Sequence, residues 1–288
     1  MIRIGIDVGG TKCLGVALDD TGKVVHEIRR PTPHADHLVG HLWEMYEELG
    51  ADGALGIGVP GLISPEGVIR ASPNMRGAFN IEVGPQLRDR IGDAVSVEND
   101  ATMAAFGEWR HGAARGADNA LIVTLGTGIG GGVVMGGHLQ RGAHGFAGEI
   151  GHMTVERDGV ECPCGRRGCW ERYASGSALT WLSDGLSGEE LFARFNNGDS
   201  AAAQVVDSFI EWIVVGLASL TNVCDPEVIV LGGGVVTSLD QHFDRVRTRF
   251  GDALYSSQWR PHPRVEPAQL GEYAGAIGSA IFAGELAR

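Results

Sequence analysis

Basic residues are scarce in this chain: 23 lysines and arginines stand against 36 aspartates and glutamates, a formal net charge of −13. No block of like charge stands out, so the balance disfavours a polyanionic partner and no nucleic acid is expected. Cysteine is scarce and odd in number, five in 288 residues, which argues against a secreted disulfide framework. No basic-then-apolar leader precedes the first apparent strand. Long apolar runs are missing too. The longest, Trp212 to Leu220, is far short of a bilayer span and follows Asp207 and Glu211. Free thiols without leader or span make a cytoplasmic protein with no membrane partner the expectation. At this length the chain can bury a sizeable core, as one large domain or two medium ones.

Glycine is abundant, 45 residues gathered at a few turns. The densest chemistry lies between Gly145 and Glu171. There Cys162, Cys164 and Cys169 fall within eight residues, with His152 ten positions upstream. Four such donors so close in sequence are what a closed tetrahedral zinc site needs. Gly165 and Gly168 let the backbone turn so that the thiolates converge. The rival reading is a group of unrelated buried thiols, but the charged surroundings, Glu161, Arg166 and Arg167, do not look like core. A closed site leaves no position for water, so the metal is expected to shape a pocket and do no chemistry. Glu149 and Glu171 bracket the cluster and would be fixed in space by it.

Two glycine turns resemble one another. The first follows an alternating apolar run, Asp7-Val-Gly9-Gly10-Thr11-Lys12, and reads as a strand–turn–strand hairpin. An ordinary tight turn needs glycine, but not Asp, Thr and Lys around it. The functional reading is an anion-handling turn in which backbone N–H groups, Thr11 and Lys12 face phosphate and Asp7 holds magnesium through water. It is not a Walker A loop, because the spacing is absent. The second turn, within Asn119–Met135, contains Gly126, Thr127, Gly128 and Gly131. That spacing satisfies a dinucleotide fingerprint, yet another strand, not a helix, is expected to follow it. Two such hairpins imply duplicated halves.

Elsewhere the pattern predicts a strand at 23–30, a helix over 36–49 and a buried strand at 54–59. It then predicts a loop over 64–80 and a short strand at 94–97 running into Glu98-Asn99-Asp100. Asn99 or Asp100 can cap the helix that continues to Trp109, and capping is the plain role for either. A carboxylate at the C-terminal end of a strand is also where open α/β sheets place their sites. Helical pieces over 175–197 and a long helix over about 200–223 follow, stopped by Asp225-Pro226. Val228–Leu231 leads into Gly232-Gly233-Gly234, a plausible nucleotide contact. A small-residue helix at 275–286 closes the chain, and Cys13 and Cys224 are expected in the core.

Together these pieces resemble the ROK family (repressors, open reading frames and sugar kinases) on the actin-like ATPase fold. The matching segments are Asp7-x-Gly9-Gly10-Thr11-Lys12, Glu98-Asn99-Asp100-Ala101, Leu125 to Gly132, Glu149-Ile-Gly-His152, Cys162-x-Cys164-Gly-x-x-Gly-Cys169-x-Glu171 and Leu231 to Val235, in family order over essentially the whole chain. The wording from Trp170 to Gly176 is most similar to bacterial ATP-dependent glucokinases. The resemblance implies an α/β, two-lobed, duplicated ribonuclease H-like fold with a zinc-binding insertion at 152–169. The small lobe would be 1–115 with the terminal helix 275–288, and the large lobe 116–274.

The implied reaction moves the γ-phosphoryl group of ATP to the 6-hydroxyl of a hexose, glucose first, with Asp100 as general base. Asn99, Asp100, Glu149, His152, Glu171 and Gly61 would meet the sugar. Asp7, Gly9, Gly10, Thr11, Lys12, Thr127, Gly128, Gly233 and Gly234 would serve ATP with magnesium. His152, Cys162, Cys164 and Cys169 would hold structural zinc, and a homodimer or homotetramer is implied. Fructose, mannose, N-acetylglucosamine and N-acetylmannosamine remain alternative acceptors, and Met75–Phe79 departs from the glucokinase wording after Pro73-Asn74. A non-catalytic sugar-binding regulator is the other-class alternative, disfavoured by the intact Asp100 and by the short run before Asp7.

Overall fold

A computed structural model describes residues 2–50, 53–72, 75, 77–239 and 242–287. The chain opens with β1 (Arg3–Val8), β2 (Lys12–Leu18) and β3 (Val24–Pro31), then helix α1 (Leu38–Glu48) and β4 (Ala54–Val59). Three short strands, β5 (Leu62–Ile63), β6 (Ile69–Ala71) and β7 (Phe79–Ile81), precede α2 (Val83–Ile91), β8 (Val95–Asn99) and α3 (Asp100–His111). The hairpin of β9 (Ala120–Leu125) and β10 (Ile129–Met135) is followed by β11 (His138–Leu139) and helices α4 (Glu171–Ala174), α5 (Gly176–Leu182) and α6 (Gly188–Asn196). Last come α7 (Ser200–Cys224), β12 (Val228–Gly232), α8 (Gly234–Leu239), α9 (Phe243–Ala253), β13 (Arg264–Pro267) and α10 (Ala274–Leu286).

The chain divides into two compact units. The first comprises Met1–Arg115, Leu139–Gly148 and Leu270–Arg288; the second comprises Gly116–His138 and Glu149–Gln269.

The first unit is built on a mixed sheet of order β3-β2-β1-β4-β8. Here β1 and β2 run antiparallel while β1, β4 and β8 run parallel. All six residues of β4 are buried, as expected of a strand covered on both faces. One cover is α10, whose run of alanines and glycines lets backbones touch. A Cβ on Gly5 would strike Ala276 and Ala280, one on Gly56 would strike Ser279, and Gly278 sits against Met103 and Gly107 of α3. Leu38, Leu42, Met45 and Tyr46 of α1 join the core built around β1 and β4.

The second unit repeats this plan with order β11-β10-β9-β12-β13. It too has an antiparallel hairpin, β9–β10, followed by parallel neighbours β12 and β13. Every residue of β12 is buried. Helix α7 starts where the Asp199 carboxylate accepts the Ala201 and Ala202 amides, and ends at Asp225 in the left-handed region (φ 41°) before Pro226. Among the described residues, α7 is the one helix long and apolar enough to cross a membrane. However, its Val206, Phe209, Ile210, Ile213 and Leu217 are fully buried in this unit's core. That stripe is the pattern of a core helix.

Several expectations need correction. The 64–80 stretch, read as loop, carries β6 and most of β7; β6 pairs with both β5 and β7 in a three-stranded antiparallel sheet. Strands of two or three residues are too short for alternation to be visible. Helices α2 and α9 and strand β13 were not anticipated. Strand β8 extends to Asn99, and Cys224 is only half-buried, whereas Cys13 is in the core. The wording around Pro73, Asn74 and Arg76 lies outside the described residues.

Candidate active site

In the first unit, β8 delivers Asn99 and Asp100 to the start of α3. Asn99 takes the cap: its Oδ1 accepts the Thr102 amide at 3.0 Å, and its Nδ2 donates to the Gly61 carbonyl at 3.2 Å. Gly61 needs to be glycine, since its φ is 115° and a Cβ would run into Ala71. With the cap supplied by its neighbour, Asp100 keeps one carboxylate oxygen on the Ala101 amide, at 2.9 Å. Burial pushes its pKa upward.

Asp7, near the end of β1, shares this corner. Its Oδ1 and the Asp100 Cα both flank Gly58, and its carboxylate packs against Gly275 in the first turn of α10. Burial first, and then the charge of Asp100, push the Asp7 pKa up to about 7, against the pull of Lys12. The turn beyond Asp7 is closed by the Gly9 amide on the Lys12 carbonyl at 2.9 Å. Gly10, Thr11 and Lys12 are exposed.

Two partners in this unit went unread in the sequence. The Lys12 ammonium is 2.7 Å from Glu272, which also accepts two bonds from Arg29 at 2.8 and 2.9 Å. The Arg29 bonds first, then Lys12, hold Glu272 down to about 2. Glu98, buried beside Asn99, is paired with Arg141, whose guanidinium also lies over the Phe282 ring. Neither pairing leaves a local sequence signal.

In the second unit, the ligand atoms of His152, Cys162, Cys164 and Cys169 all lie within 4.8 Å of one another. Cys164 Sγ and Cys169 Sγ are 3.6 Å apart, and Cys162 Sγ is 3.9 Å from His152 Nδ1. A tetrahedron with arms of about 2.3 Å to sulfur and about 2.0 Å to nitrogen has edges of about 3.8 and 3.5 Å. The donor set therefore fits a single tetrahedral ion and can bind a metal. Both hinge glycines have positive φ, 87° at Gly165 and 71° at Gly168, and a Cβ on Gly168 would collide with the Glu156 carbonyl. Trp170 anchors the segment. Fully buried, it donates to the Trp212 carbonyl at 2.6 Å and fills the space left by Gly216 of α7.

The carboxylates gather around this cluster. Glu171 Oε1 is 3.1 Å from Cys162 Sγ and 3.7 Å from His152 Nδ1, while Glu149 lies 3.9 Å from Nε2 of the same ring. His152 thus turns one nitrogen to the sulfurs and the other towards Glu149. Glu171 Oε2 also lies against the second glycine turn, 2.5 Å from where a Cβ on Gly128 would stand. After Gly131 the chain continues as β10, so the dinucleotide fingerprint lacks its helix. Gly126 accepts the Gly176 amide at 2.7 Å, and Gly233 (φ 89°) packs on Leu125, which brings the third glycine turn beside the second. Thr127, Gly233 and Gly234 are exposed.

Comparison with known proteins adds to this geometry. The ROK family model matches residues 3–285. A glucokinase from Streptomyces coelicolor is 32% identical, over 99% of this chain and 98% of its own. An N-acetyl-D-glucosamine kinase from Pectobacterium carotovorum is also 32% identical, over 96% of this chain and 97% of its own. Among solved structures, a ROK family glucokinase from Streptomyces griseus, in complex with glucose and AMPPNP, superposes with a TM-score of 0.87 at 34% identity, covering 99% of this chain and 100% of that one.

Proposed function

The chain belongs to the ROK family and is an ATP-dependent sugar kinase of it; from that premise we propose that its acceptor is D-glucose, phosphorylated on the 6-hydroxyl with Asp100 as general base. The observation that carries the assignment of the base is the division of labour at the end of β8. Asn99 caps the helix, and Asp100, left without that duty, has a pKa raised by burial. A carboxylate whose pKa is raised is a stronger acceptor for a hydroxyl proton than an ordinary one. As the new O–P bond forms, the sugar proton passes to Asp100 and ADP departs with the bridging oxygen's electron pair.

Asn99, Gly61, Glu149, His152 and Glu171 are assigned to the sugar hydroxyls. Asp7, Gly9, Gly10, Thr11, Lys12, Thr127, Gly128, Gly233 and Gly234 are assigned to ATP. Asp7 fits magnesium, because an oxygen donor whose charge is opposed by burial and by Asp100 gains most from a nearby cation. Magnesium with ATP supplies neutralisation of phosphate charge. Zinc on His152, Cys162, Cys164 and Cys169 supplies rigidity, orienting the ring whose Nε2 meets the sugar. The two sheets of matching order and direction support reading the halves as duplicated, ribonuclease H-like lobes of the actin type.

Glucose is preferred over N-acetylglucosamine because the glucokinase likeness extends to a structure holding glucose. The test is ADP release from magnesium-ATP with glucose, mannose, fructose, N-acetylglucosamine and N-acetylmannosamine, using the wild type and Asp100→Asn. Glucose should give the highest kcat/KM, and Asp100→Asn should lower kcat by about 10²–10⁴-fold. Preference for another hexose would overturn the substrate, full activity of Asp100→Asn would overturn the base, and sugar binding without turnover would return a regulator.

A further inference from the structure

The first glycine turn poses a problem of orientation. Gly9 and Gly10 place almost no restriction on their own φ and ψ, so the peptide plane between them has no local reason to face one way. The constraint comes from Thr32, the residue after β3. Its hydroxyl donates to the Gly9 carbonyl at 2.6 Å, and its amide donates to the Thr11 carbonyl at 3.1 Å. The buried Cys13 thiol is 3.7 Å from the same hydroxyl oxygen. With the one hydroxyl proton on Gly9, Cys13 S–H is the donor there, so the hydroxyl is held from both sides.

In a trans peptide the N–H points opposite to the C=O. Drawing the Gly9 and Thr11 carbonyls towards Thr32 therefore turns the Gly10 and Lys12 amides away from it. The Gly10 flank is open, since a Cβ there would meet nothing within 4 Å. Two backbone donors beside a lysine ammonium form a concavity suited to an anion.

We propose that Thr32 is a positioning residue for the nucleotide's phosphates: by holding the Gly9 and Thr11 carbonyls it presets the Gly10 and Lys12 amides towards the phosphate groups. The proposal rests on the reading of Asp7–Lys12 as the ATP phosphate turn. Thr32 itself does not touch the nucleotide. Its hydroxyl is the replaceable part of the clamp, because any residue but proline supplies the amide.

The test compares wild type with Thr32→Val, which keeps the shape and removes the donor, Thr32→Ser, which restores it, and Thr32→Ala as a second deletion. Titration calorimetry would measure AMPPNP, adenosine and glucose binding, and steady-state kinetics would measure both KM values. Thr32→Val and Thr32→Ala should weaken AMPPNP and raise the KM for ATP by roughly 5- to 30-fold, the effect of one lost oriented hydrogen bond. Adenosine and glucose binding should stay within about twofold, and Thr32→Ser should return near wild type. AMPPNP binding unchanged in both deletions, or equal losses for AMPPNP, adenosine and glucose, would overturn the proposal while leaving the kinase intact. Wild type that binds glucose but no AMPPNP would instead overturn the kinase reading, and the clamp with it.

Discussion

Replacing Asp7 with asparagine should make the protein's stability less sensitive to rising pH and the protein a poorer enzyme. An aspartate ordinarily titrates near 3.8, and Asp7 near 7. A carboxylate whose folded pKa lies above its unfolded one contributes stability that is fully present below about pH 4 and lost as pH rises through about 7. At about 1.4 kcal/mol per pH unit, the whole loss is about 4 kcal/mol, of which roughly 2–3 kcal/mol accrues between pH 5 and pH 8. Asparagine does not ionise, so the variant escapes that loss. Any fixed cost of its buried amide is the same at both pH values and drops out of the comparison. Thermal melts of both proteins, in buffer free of magnesium and nucleotide, should show the variant gaining on wild type by roughly 3–5 °C in Tm from pH 5 to pH 8. Because the Asp100 charge contributes to the shift, the gain should shrink in an Asp100→Asn background. A Tm difference independent of pH would refute the reasoning. The same variant should raise the KM for ATP, which would make Asp7 a site where stability is given up for function.

Zinc should copurify at about one ion per chain by elemental analysis, and Cys162→Ala should weaken it by roughly a hundredfold or more, a quarter share of a structural site's binding energy. Chelation should lower Tm and raise the KM for hexose more than that for ATP; a chelated protein with unchanged hexose KM would dissociate the metal from the sugar site. Gly128→Ala puts a methyl 2.5 Å from Glu171 Oε2, so the carboxylate must swing aside. The hexose KM should rise severalfold with little change in Tm, and an unaltered KM would show that Glu171 does not bind sugar. Arg141→Met leaves Glu98 buried without its cation and should cost about 3–5 kcal/mol in denaturant melts. Adding Glu98→Gln should recover much of that, and no recovery would argue against the ion pair as the cause.

Much of the site was legible because its chemistry is local. The metal donors lie within eighteen residues of one another, and the glycines that bend the chain between them are in the same stretch. Each glycine hairpin announces itself by apolar runs on either side of its turn. A helix after Asn99-Asp100 was equally plain, but which of the two residues would cap it was not. Both have the right oxygen, and only the fold around Gly61 and Thr102 assigned the cap to Asn99 and left Asp100 for other work.

The sequence by itself determined the two glycine hairpins, the buried strands β4 and β12, the metal cluster and the family pattern, since these follow from periodicity and short-range spacing. Tertiary structure alone decided the partners that tune them. Thr32 reaches Gly9 across 23 positions, Arg141 reaches Glu98 across 43, and Lys12 finds Glu272 across 260. It also decided the raised pKa of Asp7, which depends on Gly275 and Asp100 packing beside it when α10 returns to the first sheet. The physical reason is the same in each case. A side chain's neighbour on the same strand or turn is set by backbone geometry, whereas a neighbour from a distant segment exists only once the first sheet has formed and the final helix has docked on it.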